Sequence, residues 1–374
     1  MTAVAPSRRR GTTASEQPAP GDARITPPSA AYRIWGAIGV VFLLVQAWTW
    51  ITWLADGPEQ ITRFRNTSLP SWKWAIGLQV TQVVVMITVL AAVARDARRQ
   101  RAVTFSVLYV AGCLCLVWLD PMLNYFRIGF FYSSNLLNLE SWLGHVPGQL
   151  APFVNLTPQP LLWEIATYTG VFIAYTLLLE RVWRALGRRF PGASAAVLFA
   201  ATLGVAISLN LLLELPFVRT GVFAYPAASH SFALWGGETY QFPLVESLGA
   251  SLFWTASAAL AVSRRPDGLT AVERGVEVIP STRRRTAARF LAMTGYLHVI
   301  FLAFPMGLAQ LGPFYTDEFP KGYSADLHNG WCGDEGQPYG PCPGPGVPWA
   351  VRAGDDPEPA ETYRRFEYFH RMPD

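Results

Sequence analysis

Seven apolar runs of roughly twenty residues constrain this chain more than any other feature, because a helical run of that length matches the hydrocarbon thickness of a bilayer. They lie at about 34–55, 73–94, 102–119, 160–179, 194–215, 243–262 and 287–311. Of the 374 residues, 51% are apolar and only 15% charged, against about a quarter charged in soluble proteins. The 14 Trp, 14 Tyr and 22 Phe could fill a soluble core, but such a core is assembled from much shorter apolar runs. The prediction is an all-α fold: a polytopic membrane helical bundle of about seven transmembrane helices, multi-pass in a bacterial cytoplasmic membrane. Net charge is +4, yet the Arg residues sit in short clusters between apolar runs, which orients a membrane protein and gives no sign of nucleic-acid binding.

Those clusters set the expected orientation. Arg95, Arg98, Arg99 and Arg101 follow the second run; Arg181, Arg184, Arg188 and Arg189 follow the fourth; Arg264, Arg265, Arg283, Arg284 and Arg285 precede the seventh. With Arg8, Arg9 and Arg10 they fall on one side, so the positive-inside rule predicts a cytoplasmic N-terminus and an outer C-terminus. The expected organisation is a disordered basic tail at 1–30, a seven-helix domain at 31–315 and an extracytoplasmic segment at 316–374. Long outer loops, at about 56–72, 120–159 and 216–242, are rich in aromatics, Asn and Pro, as expected of segments that fold over a bundle mouth and bind something. Most outer aromatics, including Trp118, Phe130, Phe131, Trp142 and Trp163, can be explained as an interfacial belt, and a subset lining a pocket would suit a large apolar ligand. Cys332 and Cys342 share the outer tail, where an oxidising exterior allows a disulfide. Cys113 and Cys115, two apart in the third run, read as small apolar residues.

A carboxylate in hydrocarbon costs about 2.5–3.5 kcal/mol on insertion scales, so acids in or beside the runs need a reason to be there. Asp120 closes the third run in LVWLDP; Glu164 lies one turn into the fourth; Glu214 is at the outer end of the fifth; Glu246 lies one turn into the sixth. The alternation of the runs brings all four to one depth near the outer side. Each also has a structural reading. Asp120 can end a helix before Pro121, and Glu164 and Glu246 can face the positive end of a helix dipole. Glu214 opposes the dipole at a helix C-terminus and shares a face with Asn210, which points to a cavity or a partner. His230, near Tyr225, Glu238 and Tyr240 in an outer loop, is either a proton shuttle or an exposed loop residue. His298 reads as a neutral histidine bonded to a neighbouring helix. No HExxH, GxSxG, GxGxxG, Walker A or zinc-type Cys spacing occurs, so no metal site or cofactor is expected.

Several segments, in order, resemble the AveC-type spirocyclases, small polytopic membrane proteins of actinobacterial polyketide pathways: WLDPMLNYF, FFYSSNLLNLESWL, PLLWEIATYTGVF, LNLLLELPFVRTGVFAYP, YQFPLVES, HNGWC and YGPCPG, together spanning roughly 34–345. The resemblance implies dehydrative closure of a dihydroxyketone or hemiketal polyketide to a spiroketal, with no cofactor, and in some members dehydration of the spiroketal ring. On that implication Asp120, Glu214 and Glu246 are the catalytic candidates, with Glu214 or Glu246 as the protonated acid and Asp120 as the stabilising carboxylate. Tyr132, Asn135, Glu164, Asn210, Tyr225, His230 and Tyr240 are candidates for binding the substrate. The expected partners are a hydrophobic polyketide and the lipid bilayer. The alternative is a proton-coupled exporter of a hydrophobic metabolite, in which the same buried acids carry protons.

Overall fold

A computed structural model describes residues 30–310, apart from 63, 66, 127–128, 150, 152–153 and 155–156, together with 320 and 322–328. The expected tail before residue 30, most of the expected 316–374 segment, and Cys332 and Cys342 lie outside the described residues. Each apolar run is a helix: α1 (Ala31–Asp56), α2 (Pro70–Gln100), α3 (Phe105–Leu114), α4 (Leu161–Arg189), α5 (Ala195–Arg219), α6 (Leu244–Val262) and α7 (Thr282–Ala309). Six are long and apolar enough to cross a bilayer by themselves, and α3 makes a seventh span when joined to the 3-10 turn Val117–Asn124 that follows it at 44°. The chain is therefore a multi-pass membrane protein. A short α8 (Ala325–His328) lies in the C-terminal segment.

The third span departs from the uninterrupted helix predicted over 102–119. Its α-helix stops at Leu114 and tightens into the 3-10 turn, with Pro121 inside. Proline offers no N–H, and its ring clashes with the carbonyl four residues back, so the α pattern cannot run through. Asp120 therefore lies in the middle of the turn, where it is buried. Two further distortions are π-helical turns, Thr167–Val171 inside α4 and Leu302–Met306 around Pro305 in α7.

Helices α4, α6 and α7 are more than half buried along their apolar stretches, whereas α1, α2 and α5 are mostly exposed along theirs. The first three thus form the centre and the others the lipid-facing wall. Close crossings depend on small residues. A Cβ on Gly39 of α1 would meet the Leu291 carbonyl of α7, and one on Gly295 would meet the Trp35 carbonyl. His298 is buried on α7, stacked on Phe42 at 4.7 Å, with Nδ1 2.8 Å from the Thr294 carbonyl and Nε2 accepting from the Trp118 indole at 3.1 Å. That pairing is the neutral, interhelical histidine the sequence suggested.

Short antiparallel ladders knit the loops at one end of the bundle. β1 (Gln60–Ile61), β3 (Asn138–Glu140) and β4 (Pro158–Gln159) form a sheet in the order β1-β3-β4, with Leu139 opposite both Gln60 and Gln159. β2 (Phe131–Tyr132) pairs with β5 (Phe223–Ala224), placing Tyr132 opposite Phe223. β6 (Ala233–Leu234) pairs with β7 (Phe242–Pro243). These ladders fold the aromatic loops back over the helices, which corrects the reading of an interfacial belt. Trp118, Phe131 and Trp142 are core residues, and the Trp142 indole donates to the Trp118 carbonyl at 2.8 Å. At the opposite, Arg-rich end Glu180 pairs with Arg184 and Arg264, and Glu273 with Arg289.

Gly295→Leu drives a side chain into the backbone of α1. Overpacking costs about 1–3 kcal/mol, so the variant should unfold at lower temperature in a thermal scan of detergent-solubilised protein, while Gly77→Leu, at a glycine with open space around it, should not.

Candidate active site

Asp120 gathers hydrogen bonds from three separate parts of the chain. Its Oδ2 accepts from the Tyr132 hydroxyl of β2 at 3.1 Å and from Gln159 Nε2 of β4 at 2.8 Å. Its Oδ1 accepts from the Tyr168 hydroxyl of α4 at 2.9 Å. Gln159 is held extended between Pro158 and Pro160, and its Nε2 also donates to Glu164 Oε1, bridging the two carboxyl groups. Glu164 is fully buried, and its other oxygen, Oε2, has no partner among the described residues. Glu164 and Tyr168 are four residues apart on α4 and share a face.

Glu214, half-buried near the end of α5, accepts from Asn210 Nδ2 at 2.8 Å and from the Tyr225 hydroxyl at 3.1 Å. Glu246 stands in the first turn of α6, directly after β7, and is buried, its Oε2 without a partner among the described residues. Asp120, Glu214 and Glu246 line one cavity, together with Tyr132, Tyr168 and Tyr225. The rest of the wall is largely aromatic: Phe130, Trp163, Phe172, Phe223, Phe253, Trp254 and Phe301. Both π-helical turns contribute, through Tyr168 and through Pro305 and Met306. A smaller chamber shares Phe130, Tyr225 and Glu246 with it.

The other candidates fall in three places. Asn210 holds Glu214 without lining the cavity, and Glu164 lies behind Asp120. Asn135 is buried in the loop after β2, where its Nδ2 donates to Asp326 at 2.8 Å and Ser71 at 3.3 Å. His230 and Tyr240 lie outside the cavity lining. His230 begins a 3-10 turn packed over Gly236 and Gly237, and Tyr240 shares the Arg219 guanidinium with Trp235, at 3.9 and 4.1 Å from the ring centroids. Gln159 and Tyr168 were not among the candidates. The i, i+4 spacing from Glu164 is a sequence signal for Tyr168; for Gln159 there is only a polar residue between two prolines at the mouth of a span. Among the described residues no group of three or more His, Cys, Asp or Glu side chains is arranged to hold a metal ion.

The family model described as Spirocyclase AveC-like matches residues 98–326, a stretch that contains all four acids and the three cavity tyrosines. No curated protein and no solved structure matches the chain.

Burial, and then the neighbouring carboxylates Asp120 and Glu214 respectively, hold the Tyr132 and Tyr225 phenols well above the ordinary tyrosine range. Both therefore remain hydrogen-bond donors at any physiological pH. A folded value above the unfolded one means that their contribution to stability is complete below about pH 10 and is lost as pH rises through the folded values. In a spectroscopic pH titration these two phenolates should appear only together with unfolding, and the Tyr132→Phe/Tyr225→Phe double variant should lose less stability than the parent above about pH 10.

Proposed function

We propose a function from one premise: the chain belongs to the AveC-like spirocyclase family. It is accordingly an enzyme, and its substrate class is the polyketide. The finer reading is cofactor-independent, acid/base-catalysed closure of a dihydroxyketone or its hemiketal to a spiroketal, with one water released. The observation that carries it is the meeting of three carboxyl groups, in three different hydrogen-bonding environments, on one aromatic cavity.

The environments assign the roles. Asp120 receives three donors and is held as the anion. Glu246 has an oxygen with no donor among the described residues and is held as the neutral acid, because an unpaired buried charge is costly. Glu214, with one donor on each oxygen, is placed to bind a substrate hydroxyl. Glu246 gives its proton to the hemiketal hydroxyl, the C–O bond breaks, and water leaves. The oxocarbenium ion that remains is stabilised by the Asp120 carboxylate and by the ring faces around it. The second hydroxyl then adds to the cation and its proton passes to Asp120. Asp120 has now gained the one proton that Glu246 lost, so a single transfer between them restores the starting state. The cavity wall decides which face of the cation the hydroxyl reaches, and so the configuration of the product.

The Arg-rich end is placed in the cytoplasm of a bacterial cell by the positive-inside rule. This orientation sets the cavity toward the outer leaflet, and an apolar polyketide reaches it by partitioning into the bilayer.

The test is turnover of a synthetic dihydroxyketone by the purified, reconstituted protein, with spiroketal diastereomers resolved by chiral chromatography. Glu246→Gln and Asp120→Asn should each lower kcat by about 10²- to 10⁴-fold, the usual range for a general acid or base. Glu214→Gln should raise KM more than it lowers kcat. Full rates in the Glu246 and Asp120 variants would discard this mechanism.

A further inference from the structure

We infer that Asp326 of α8, which does not line the cavity, is a positioning residue that sets the reaction geometry through the turn at Ser133–Asn135 and thereby through Tyr132. The inference rests on the cyclase reading. Asp326 is 1% exposed, and its Oδ2 accepts from Ser133 Oγ at 3.0 Å and from Asn135 Nδ2 at 2.8 Å. Its main-chain carbonyl accepts from the Ser134 N–H at 2.7 Å. One residue of a distant segment thus binds three consecutive residues, all three fully buried.

The turn continues directly into the site. Ser133 donates its N–H to Val222, next to β5, at 2.9 Å, and its neighbour Tyr132 pairs with Phe223 and donates to Asp120. Leu327, beside Asp326, is buried against the Gly221 bend that leads into β5. Asp326 and Leu327 therefore brace both strands of the β2–β5 pair from behind, while the front of that pair presents Tyr132 to the cavity. Without the Asp326 carboxylate, the buried Ser133 hydroxyl and Asn135 amide lose an acceptor, and a turn with unsatisfied donors shifts to find others. Asp326 Oδ1 has no partner among the described residues. Burying a carboxyl group with one oxygen left unpaired is costly, so its place is better accounted for by the geometry it imposes on Tyr132.

The experiment uses the full chain in detergent, with fluorotyrosine incorporated and the Tyr132 resonance identified by Tyr132→Phe. Asp326→Ala should displace the Tyr132 ¹⁹F resonance and leave that of Tyr296 in place. Asp326→Asn, which keeps an oxygen acceptor, should displace it less, and it carries both measurements if the alanine variant fails to fold. An unmoved Tyr132 resonance in a folded variant overturns the inference whether or not the protein turns substrate over. In the spiroketal assay Asp326→Ala should lower kcat on the order of 10- to 100-fold, as displacement of an aligned group does. In a Tyr132→Phe background the same change should add less than about twofold, because effects of sites that act through one another do not add. An undiminished further loss in that background overturns the inference, whereas absence of spiroketal from the parent enzyme overturns the cyclase reading and leaves the resonance to decide this one.

Discussion

A buried carboxylate must fill its lone pairs, and Asp120 fills them from Tyr132, Gln159 and Tyr168 rather than from a cation. Much of the loop-bearing end of the molecule follows from that demand. Tyr132 reaches Asp120 only because β2 is laid beside β5, and Gln159 only because β4 is laid beside β3. Tyr168 arrives from the centre of the bundle. One side chain therefore ties together the third span, the long loop that follows it and α4, and the ordering entropy of those loops is offset by burial of the aromatics they carry.

The helices are distorted where they meet the cavity. The third span changes from α-helix to a 3-10 turn that holds Asp120 and Pro121, and π-helical turns interrupt α4 at Tyr168 and α7 at Pro305. A regular helix presents each side chain on a fixed face, and such turns re-aim the side chains that follow. They are also a source of space, because helices packed to protein density leave few voids. The cavity is dominated by aromatic rings with the carboxyl groups set among them, so a charge developing in it would face rings and carboxylates instead of bulk water.

The four carboxyl groups differ mainly in what donates to them. Asp120 receives three donors, Glu214 has one on each oxygen, Glu164 shares Gln159, and Glu246 keeps an oxygen without a partner among the described residues. Unequal environments for like groups are what separate an acid from a base within one site. At the other end of the bundle Glu180 and Glu273 meet arginines instead, so the two ends use buried acids in opposite ways.

The long apolar helices were legible in the sequence because run length against bilayer thickness is a one-dimensional constraint. So was the convergence of Asp120, Glu214 and Glu246, because alternation of spans places acids at run ends on a common side. Asn210 beside Glu214 followed from helical spacing. What could not be read was which loop residues enter the cavity: Tyr132 and Tyr225 do, whereas Asn135, His230 and Tyr240 do not, and Gln159 passed unnoticed. Those outcomes depend on strand pairs two or three residues long between distant loops, and such pairs leave too short a pattern to detect. The sequence by itself determined the solvent this protein folds in, its helices and the end where its acids collect. Only the tertiary structure decided which donors each acid receives, because hydrogen bonds between residues far apart in the chain are set by packing and not by spacing.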